Sequence, residues 1–441
     1  DKKLKPGKVI TSKTDDETGI TTLNLSNGAT VVLKQTNFKN DEIVFRAFSK
    51  GGHSLVKDAD YYSGSYASQV ISQSGVGNFS AVDLGNMLKG KSTSLSPNIS
   101  LYSEGLNGVT IPKETETLLQ LVNLYFKSPR KDTAAFSSFK TRQKQLFANL
   151  SSNPQIYFSS EFQKLMTKNH PRAGGIPKPE DLDKVNLDRS MQIYKERFAN
   201  AGDFTFFFVG SFNEDSIKPL IEKYIGSLPS LPKKETYKDL GIRPPVGMVK
   251  KEINKGSDQK SLVAMVFNTP APYSAKEALS LNSLAEIMSI KLIEQLREEK
   301  GGVYGISAYA NFSRIPVSAA SFTVTFPCAP DNVDTLSKAV IDELKKIIKD
   351  GVSAEDLEKI KEQQKRKLEV DSKQNRFWMD NIYDAFFYGT NPKEILEKQK
   401  MTDALTAKMI QDAAKKYINL NSYIIATLKP DKEADKPLKG F

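Results

Sequence analysis

The sequence repeats itself in the same order after about 218 residues, and this internal repeat limits the possible folds more than any other feature. Segments 42–48 and 261–267 are apolar runs typical of half-buried strands. Segments 106–111 and 321–326 form a second matching pair, and in both copies a proline and then a helix pattern follow. The order of elements is therefore expected to be the same in both halves of the chain.

The helix patterns of the two copies also match. Apolar residues recur with the helical period of 3.6 in segments 118–125 and 336–347, and a second helix pattern follows each of them. A short helix then leads into the closing strands at 204–209 and 423–428. These pairs, matching in order, predict two copies of one α+β domain, each an antiparallel-rich mixed sheet covered by helices on one face.

The two repeats are predicted at residues 1–235 and 246–441, with a linker at 233–246. The sequence around this linker is rich in Pro and Lys and has no periodicity. A chain of 441 residues is also longer than one ordinary hydrophobic core supports.

Composition excludes several classes of protein. The net charge of +11 raises the question of nucleic-acid binding, but Lys and Arg are mixed with Asp and Glu on amphipathic helix patterns. Solvated helix faces are the favoured interpretation, and no nucleic-acid partner is predicted. The longest apolar runs are much shorter than the roughly 20 residues of a membrane-spanning helix, so no membrane span is predicted. The single cysteine, Cys328, excludes an internal disulfide and lies in an apolar run that predicts a buried side chain.

In the first copy, a strand is followed by a glycine-containing loop at 51–53 and a helix pattern at 66–72. This layout resembles the catalytic half of the pitrilysin/insulinase family of zinc peptidases (inverzincins), in which the helix carries a His-x-x-Glu-His motif. The resemblance implies the metallopeptidase LuxS/MPP-like fold. At the position of the motif, however, this chain has Ser68, Gln69, Val70, Ile71 and Ser72.

No zinc site is predicted in this chain. Segment 133–160, where the family has its third ligand, contains neither Asp nor Glu. His53 and His170, the two histidines of the chain, have no neighbouring histidine or cysteine and are not expected to bind metal. The chain is therefore expected to hold no cofactor, and zinc is expected in a partner half.

In the second copy, a leucine-rich helix pattern leads through Arg297 and the pair Gly301 and Gly302 to Tyr304. An isolated arginine and tyrosine at this spacing would be interpreted as a helix-end salt bridge and a packing aromatic. This segment, however, resembles an element in the last repeat of the family's non-catalytic C-terminal half. The resemblance implies that Tyr304 hydrogen-bonds the oxyanion of the tetrahedral intermediate and that Arg297 helps to hold the substrate. Gly301 and Gly302 would permit the main chain to turn between Arg297 and Tyr304, and they would lie at the substrate.

The resemblance implies the zinc-less half of a zinc peptidase, inactive alone and taking part in proteolysis when combined with a His-x-x-Glu-His half. The expected partners are that zinc-bearing N-terminal half or subunit and unfolded peptides. The start at Asp1 rather than Met favours excision from a longer chain over a separate subunit. The compartment is left open, with a bacterial periplasm or cell envelope preferred over the cytoplasm. Two alternatives remain: a structural or assembly subunit, and a peptide-binding module of the same fold that does not cleave.

Overall fold

A computed structural model describes residues 4–294 and 305–431 of the chain. Within these residues the strands are β1 (Val9–Asp15), β2 (Ile20–Leu25), β3 (Thr30–Gln35), β4 (Ile43–Lys50), β5 (Ser94–Ile99), β6 (Ser103–Thr110), β7 (Thr205–Gly210), β8 (Val249–Asn254), β9 (Ser261–Pro270), β10 (Ser307–Ser313), β11 (Ala319–Cys328) and β12 (Ile424–Lys429). The helices are α1 (Tyr61–Ser65), α2 (Ala67–Ser74), α3 (Ala81–Met87), α4 (Thr115–Lys127), α5 (Thr133–Ser152), α6 (Pro154–Met166), α7 (Leu187–Arg197), α8 (Glu214–Tyr224), α9 (Ala275–Ile293), α10 (Val333–Asp350), α11 (Ala354–Asp371), α12 (Asn375–Tyr388), α13 (Lys398–Asp403) and α14 (Ala407–Tyr417).

The strands form two mixed sheets that share one plan. Their orders are β1-β2-β3-β7-β4-β6-β5 and β10-β11-β9-β12-β8. Strands β3, β7, β4, β6 and β5 of the first sheet correspond in order and direction to β8, β12, β9, β11 and β10 of the second. Among the described strands, each sheet has one parallel pair, and its other pairs are antiparallel. The predicted α+β class, with an antiparallel-rich mixed sheet in each half, is confirmed.

The helices predicted from periodicity are also present. The apolar face predicted for α10 is buried in the core. Gly351 ends this helix with a φ of +81°, a backbone conformation that favours glycine. A capping box precedes α11, because Asp356 N–H donates to Ser353 Oγ at 3.0 Å and Ser353 N–H donates to Asp356 Oδ2 at 3.3 Å.

The chain divides into two compact units whose segments do not follow chain order. Of the described residues, the first unit contains 4–146, 178–240 and 369–397, and the second contains 147–177, 241–294, 305–368 and 398–431. Each unit therefore includes one segment from the opposite repeat. The predicted boundaries of the repeats, 1–235 and 246–441, concern the order of the sequence and stay a prediction.

In the second unit, helices cover both faces of the sheet. Val263, Met265 and Phe267 of β9 belong to the main core, which α9, α10 and α14 help to form. Ala264, between these residues in sequence, points to the opposite face and packs in a smaller core that includes Phe158 of α6. Helix α6 comes from the first repeat. The sequence predicts helices on one face and does not indicate this additional helix on the other.

In the first unit, α12 comes from the second repeat and packs against the sheet. The ring of Phe207 lies 5.6 Å from that of Phe386 on α12, whereas Phe206 on the opposite face lies 5.9 Å from Phe126 on α4. Arg46 of β4 forms an ion pair with Asp380 of α12 at 2.7 Å. Because this sheet is covered on both faces, β7 is a continuous apolar run rather than an alternating one.

Replacing Asn375 with alanine is expected to lower the free energy of unfolding by about 1–3 kcal/mol, because the change removes the hydrogen bonds to two half-buried side chains, Thr36 and Glu42. Asn375 is 1% exposed, accepts a hydrogen bond from Thr36 Oγ1 at 2.5 Å and donates one to Glu42 Oε2 at 2.9 Å. Urea unfolding followed through the fluorescence of Trp378, the single tryptophan, measures the change. Gln374→Ala is the control, since that residue precedes α12 without a side-chain cap. Equal midpoints for the two variants would contradict the assignment.

The predicted linker has no helix or strand between α8 and β8, and its first part is bound to the first unit. Asn200 accepts a hydrogen bond from Leu231 N–H at 2.7 Å and donates one to Lys233 O at 2.6 Å. Further along, Lys238 N–H donates to Ser54 Oγ at 3.0 Å. This part of the linker is therefore held against the first unit by hydrogen bonds.

Candidate functional site

The predicted site residues Arg297, Gly301, Gly302 and Tyr304 lie outside the described residues. The structure describes the elements on either side of them, α9 and β10. Their assignment therefore stays a prediction. The geometry that can be described is that of α9 and β10, which flank the predicted site.

Helix α9 is anchored in the core of the second unit along its length. The side chain of Ser274 caps its start by accepting a hydrogen bond from Glu277 N–H at 3.1 Å. Side chains on its inner face are fully buried, namely Leu281, Leu284, Met288 and Leu292. The helix is thus held by packing up to its described end.

The hydroxyl of Ser289 fixes the start of β10 to α9. Its oxygen accepts a hydrogen bond from Ala308 N–H at 2.8 Å. The same oxygen lies 3.0 Å from the carbonyl oxygens of Ala285 and Ala308, and its one hydrogen is donated to either. The two elements that flank Arg297 and Tyr304 are therefore bound directly to each other.

Strand β10 forms one edge of the second sheet. It pairs with β11, and Tyr309 lies opposite Thr323. Alternation along the strand turns Ala308, Ala310 and Phe312 toward the core and leaves Tyr309 52% exposed on the other face. A strand with one open edge is a site where an extended polypeptide can add by main-chain hydrogen bonds.

The helix at the position of the missing zinc motif is present as α2, but its inner face is ordinary core. Val70 and Ile71 are fully buried, and Ser72 Oγ donates to the carbonyl oxygen of Ser68 at 3.0 Å. Within residues 4–294 and 305–431, no group of three or more His, Cys, Asp or Glu side chains is placed to hold a metal ion. The described residues at this position do not fit zinc.

The two histidines and the cysteine are held by ordinary packing and hydrogen bonding. The ring of His53 packs edge-on against that of Tyr61 in the first unit, with centroids 5.7 Å apart. His170, in the second unit, accepts a hydrogen bond at Nδ1 from Arg172 N–H at 3.1 Å. Cys328 is buried as predicted, and burial raises the pKa of its thiol to about 11, which disfavours the nucleophilic thiolate.

One buried carboxyl group, Glu104 of β6, was not predicted from the sequence. It is 2% exposed, and its Oε2 accepts a hydrogen bond from Gly52 N–H at 2.6 Å. Burial raises the pKa of Glu104 to about 7, although the nearby charge of Arg197 acts in the opposite direction. Arg197 in turn pairs with Glu235 of the linker at 2.8 Å. The available sequence signal was an acidic residue two positions before the predicted strand at 106–111, which is too weak to indicate burial.

No helix in the described parts of the chain combines the length and the apolar composition needed to cross a membrane.

Comparison with known proteins confirms the predicted resemblance to this family. Residues 184–364 match the family described as Peptidase M16 inactive domain. A zinc protease PQQL-like protein of Arabidopsis thaliana is 24% identical over 397 residues, which are 86% of this chain and 39% of the relative. This chain therefore spans less than half the length of that relative.

Two solved structures share the fold. The periplasmic protease PqqL from Escherichia coli superimposes with a TM-score of 0.84 at 19% identity, over 97% of this chain and 47% of that one. The first half of the same protease gives a TM-score of 0.76 at 13% identity, over 96% and 94% of the two chains. At these identities the likeness shows the fold alone. Its extent indicates that this chain corresponds in size to one half of such a protein.

Proposed function

From its similarity to the M16 zinc peptidases, we propose that this chain is the half of a two-half peptidase that binds no zinc. Residues 184–364 of this chain match the inactive domain of that family. The match to the inactive domain is the observation that carries the proposal. Support comes from α2, which has a core face where a catalytic half would have its metal ligands. Metal chemistry is accordingly assigned to the partner half.

Within this proposal, the chain closes a chamber around unfolded peptides and contributes Arg297 and Tyr304. The phenol of Tyr304 would donate a hydrogen bond to the oxyanion that develops during peptide hydrolysis, and Arg297 would hold the substrate. Gly301 and Gly302 would let the main chain turn between Arg297 and Tyr304, close to the substrate. The anchored flanks, α9 and β10, support this role, because a donor stabilises a transition state best when it is held in place beforehand.

A compartment is part of the proposal. The solved relative from Escherichia coli is described as periplasmic, and this description is what supports the assignment. We place the chain in a bacterial periplasm or cell envelope.

The proposal is tested by combining this chain with a half that carries His-x-x-Glu-His and following cleavage of a quenched fluorescent peptide. Cleavage is expected from the combination and not from this chain alone. A partner half whose motif glutamate is replaced by glutamine is the control, and it should give no cleavage. If this chain adds nothing to the rate of the zinc-bearing half, the proposal is wrong. Assembly into a larger complex without any effect on cleavage would instead favour a structural subunit.

A further inference from the structure

Residues 231–238 of the linker, which we call the docked segment, contain no helix or strand and lie on the first unit. Besides the hydrogen bonds described above, Glu235 N–H donates to Asp203 Oδ2 at 3.2 Å, and the ring of Tyr237 packs against that of Tyr102. The structure describes the whole segment, and none of its residues is buried. A piece of chain that is held by a few contacts with little burial needs only a small free energy to be released.

Glu235 of the docked segment lies in a cluster of charged groups. Its Oε2 forms an ion pair with Arg197 Nη1 of α7 at 2.8 Å. The same guanidinium is close to Glu104 of β6. A Cβ added at Gly51 would lie 2.9 Å from Arg197 Nη1 and 3.3 Å from Glu104 Oε2, so both atoms border one small space. One arginine is therefore near two acidic groups, one from the linker and one from the sheet.

The surroundings of Glu104 combine burial with few charges. Its carboxyl accepts hydrogen bonds from Gly52 N–H and from the hydroxyl of Ser49 on β4. Among the described residues, Arg197 and Glu235 are the charged groups that act on it. The other charged or titratable groups on these elements have different neighbours, namely His53 against Tyr61, Lys50 over the ring of Phe387, Asp203 at the N–H of Glu235, and Lys233 beside the Glu235 carboxylate at 3.7 Å.

The charge on Glu104 decides how this cluster is balanced. Burial raises the pKa of Glu104 to about 7, Arg197 and the two hydrogen bonds lower it, and the charge of Glu235 raises it. While Glu104 is neutral, Arg197 pairs with Glu235. Once Glu104 is ionised, two carboxylates compete for one guanidinium and repel each other.

Release of the docked segment removes Glu235 from this cluster and leaves Arg197 to Glu104. Both changes favour the ionised form of Glu104, so the docked state binds the proton of this carboxyl more tightly than the released state does. Docking is consequently strongest below pH 7 and weakens as pH rises through 7.

We propose that the protonation of Glu104 controls the docking of residues 231–238 on the first unit. The segment stays docked while this carboxyl is neutral. It is released more readily once the carboxyl is ionised, and Arg197 then changes its partner from Glu235 to Glu104. The linker leads from the docked segment to β8, so release leaves a longer part of the linker able to move. The inference concerns contacts within the first unit and does not depend on the proposed function.

The test is hydrogen–deuterium exchange of the full chain at pH 5 and pH 8, followed by mass spectrometry of a peptide that spans the docked segment. The N–H groups of Leu231, Glu235 and Lys238 are hydrogen-bonded in the docked state. Their protection, corrected for the intrinsic exchange rate at each pH, therefore reports docking. This protection is expected to fall about threefold to tenfold from pH 5 to pH 8, because the docked state holds the proton of Glu104 more tightly.

Two variants test the mechanism. Glu104→Gln stays neutral, so the protection of the docked segment should change within about twofold between the two pH values. Glu235→Gln removes the competing carboxylate. Its segment should be less protected at pH 5 and should also change within about twofold up to pH 8. Because Glu235 lies on the surface segment, this variant is informative even if Glu104→Gln does not fold. Glu180→Gln, at an exposed position outside the cluster, is the control and should behave as the unmodified chain.

The inference is overturned if the segment of the unmodified chain is equally protected at both pH values, or if Glu104→Gln keeps the full change. A peptide from the buried strand β7 reports unfolding of the whole unit. The docked segment should be much less protected than β7 at pH 8. Equal protection of the two would show that the segment opens only when the unit unfolds, and the inference would then be wrong.

Discussion

Replacing Tyr304 with phenylalanine is expected to lower kcat of the combined halves about 10²–10³-fold and to change KM little. The phenol would interact with charge that exists in the transition state and not in the bound substrate, so its loss affects the chemical step. Cleavage of a quenched peptide at several concentrations separates the two constants. A change confined to KM would show that Tyr304 binds substrate without stabilising the oxyanion.

A matched tyrosine provides the control for this variant. Tyr237 lies in the linker, and its ring packs against Tyr102 with centroids 5.4 Å apart. Tyr237→Phe removes the same hydroxyl at a position outside the proposed site, so kcat should stay within about twofold of the unmodified chain. An unchanged kcat for Tyr304→Phe would remove the role assigned to that residue.

The second large effect is expected at Glu104 and depends on pH. Its pKa is raised from 4.5 to about 7 in the folded chain, so the folded state binds a proton more tightly than the unfolded state does. The neutral carboxyl therefore contributes favourably to the free energy of unfolding. This contribution is fully present below pH 4.5 and is lost as pH rises through 7. Over that range the group is expected to lower the free energy of unfolding by about 3 kcal/mol.

Glu104→Gln should remove this dependence, because the amide stays neutral and its oxygen can still accept the hydrogen bond from Gly52. Urea unfolding at pH 5 and pH 8 is expected to show a difference between the two pH values that is about 2–3 kcal/mol larger in the unmodified chain than in the variant. Asp83→Asn is the control. Hydrogen bonds from Ser80 lower the pKa of Asp83 below 3.8. The free energy of unfolding of this variant should therefore change between pH 5 and pH 8 by as much as that of the unmodified chain. The same pH dependence in Glu104→Gln would contradict the assignment.

Most of the fold was predictable because the repeat supplied each element twice. The strand patterns at 42–48 and 261–267 are β4 and β9, which occupy the same place in the two sheets. The exchange of α6 and α12 was not predictable. An amphipathic helix shows that one of its faces is buried, but its sequence does not state which sheet it covers.

The functional residues were harder to predict than the fold. The prediction that the helix at 66–72 lacks the zinc motif followed from residue types alone, because Ser68, Gln69, Val70, Ile71 and Ser72 stand at that position. The packing of α6 against β9 could not be predicted from residue types, because the two elements come from different repeats. Glu104 was missed for a similar reason, since its burial depends on Arg197 and the linker, which are distant in sequence.

The crossed placement of α6 and α12 has a consequence for biosynthesis. The first sheet is complete in sequence at residue 210, yet the aromatic rings of Phe48 and Phe207 have their cover only once α12, 165 or more residues later, has left the ribosome (375 − 210 = 165). Until then that apolar face is open to water and to other nascent chains. We therefore expect ribosome-stalled chains ending before residue 375 to bind a general chaperone, and chains long enough for all of α12 to lie outside the ribosome to be released from it.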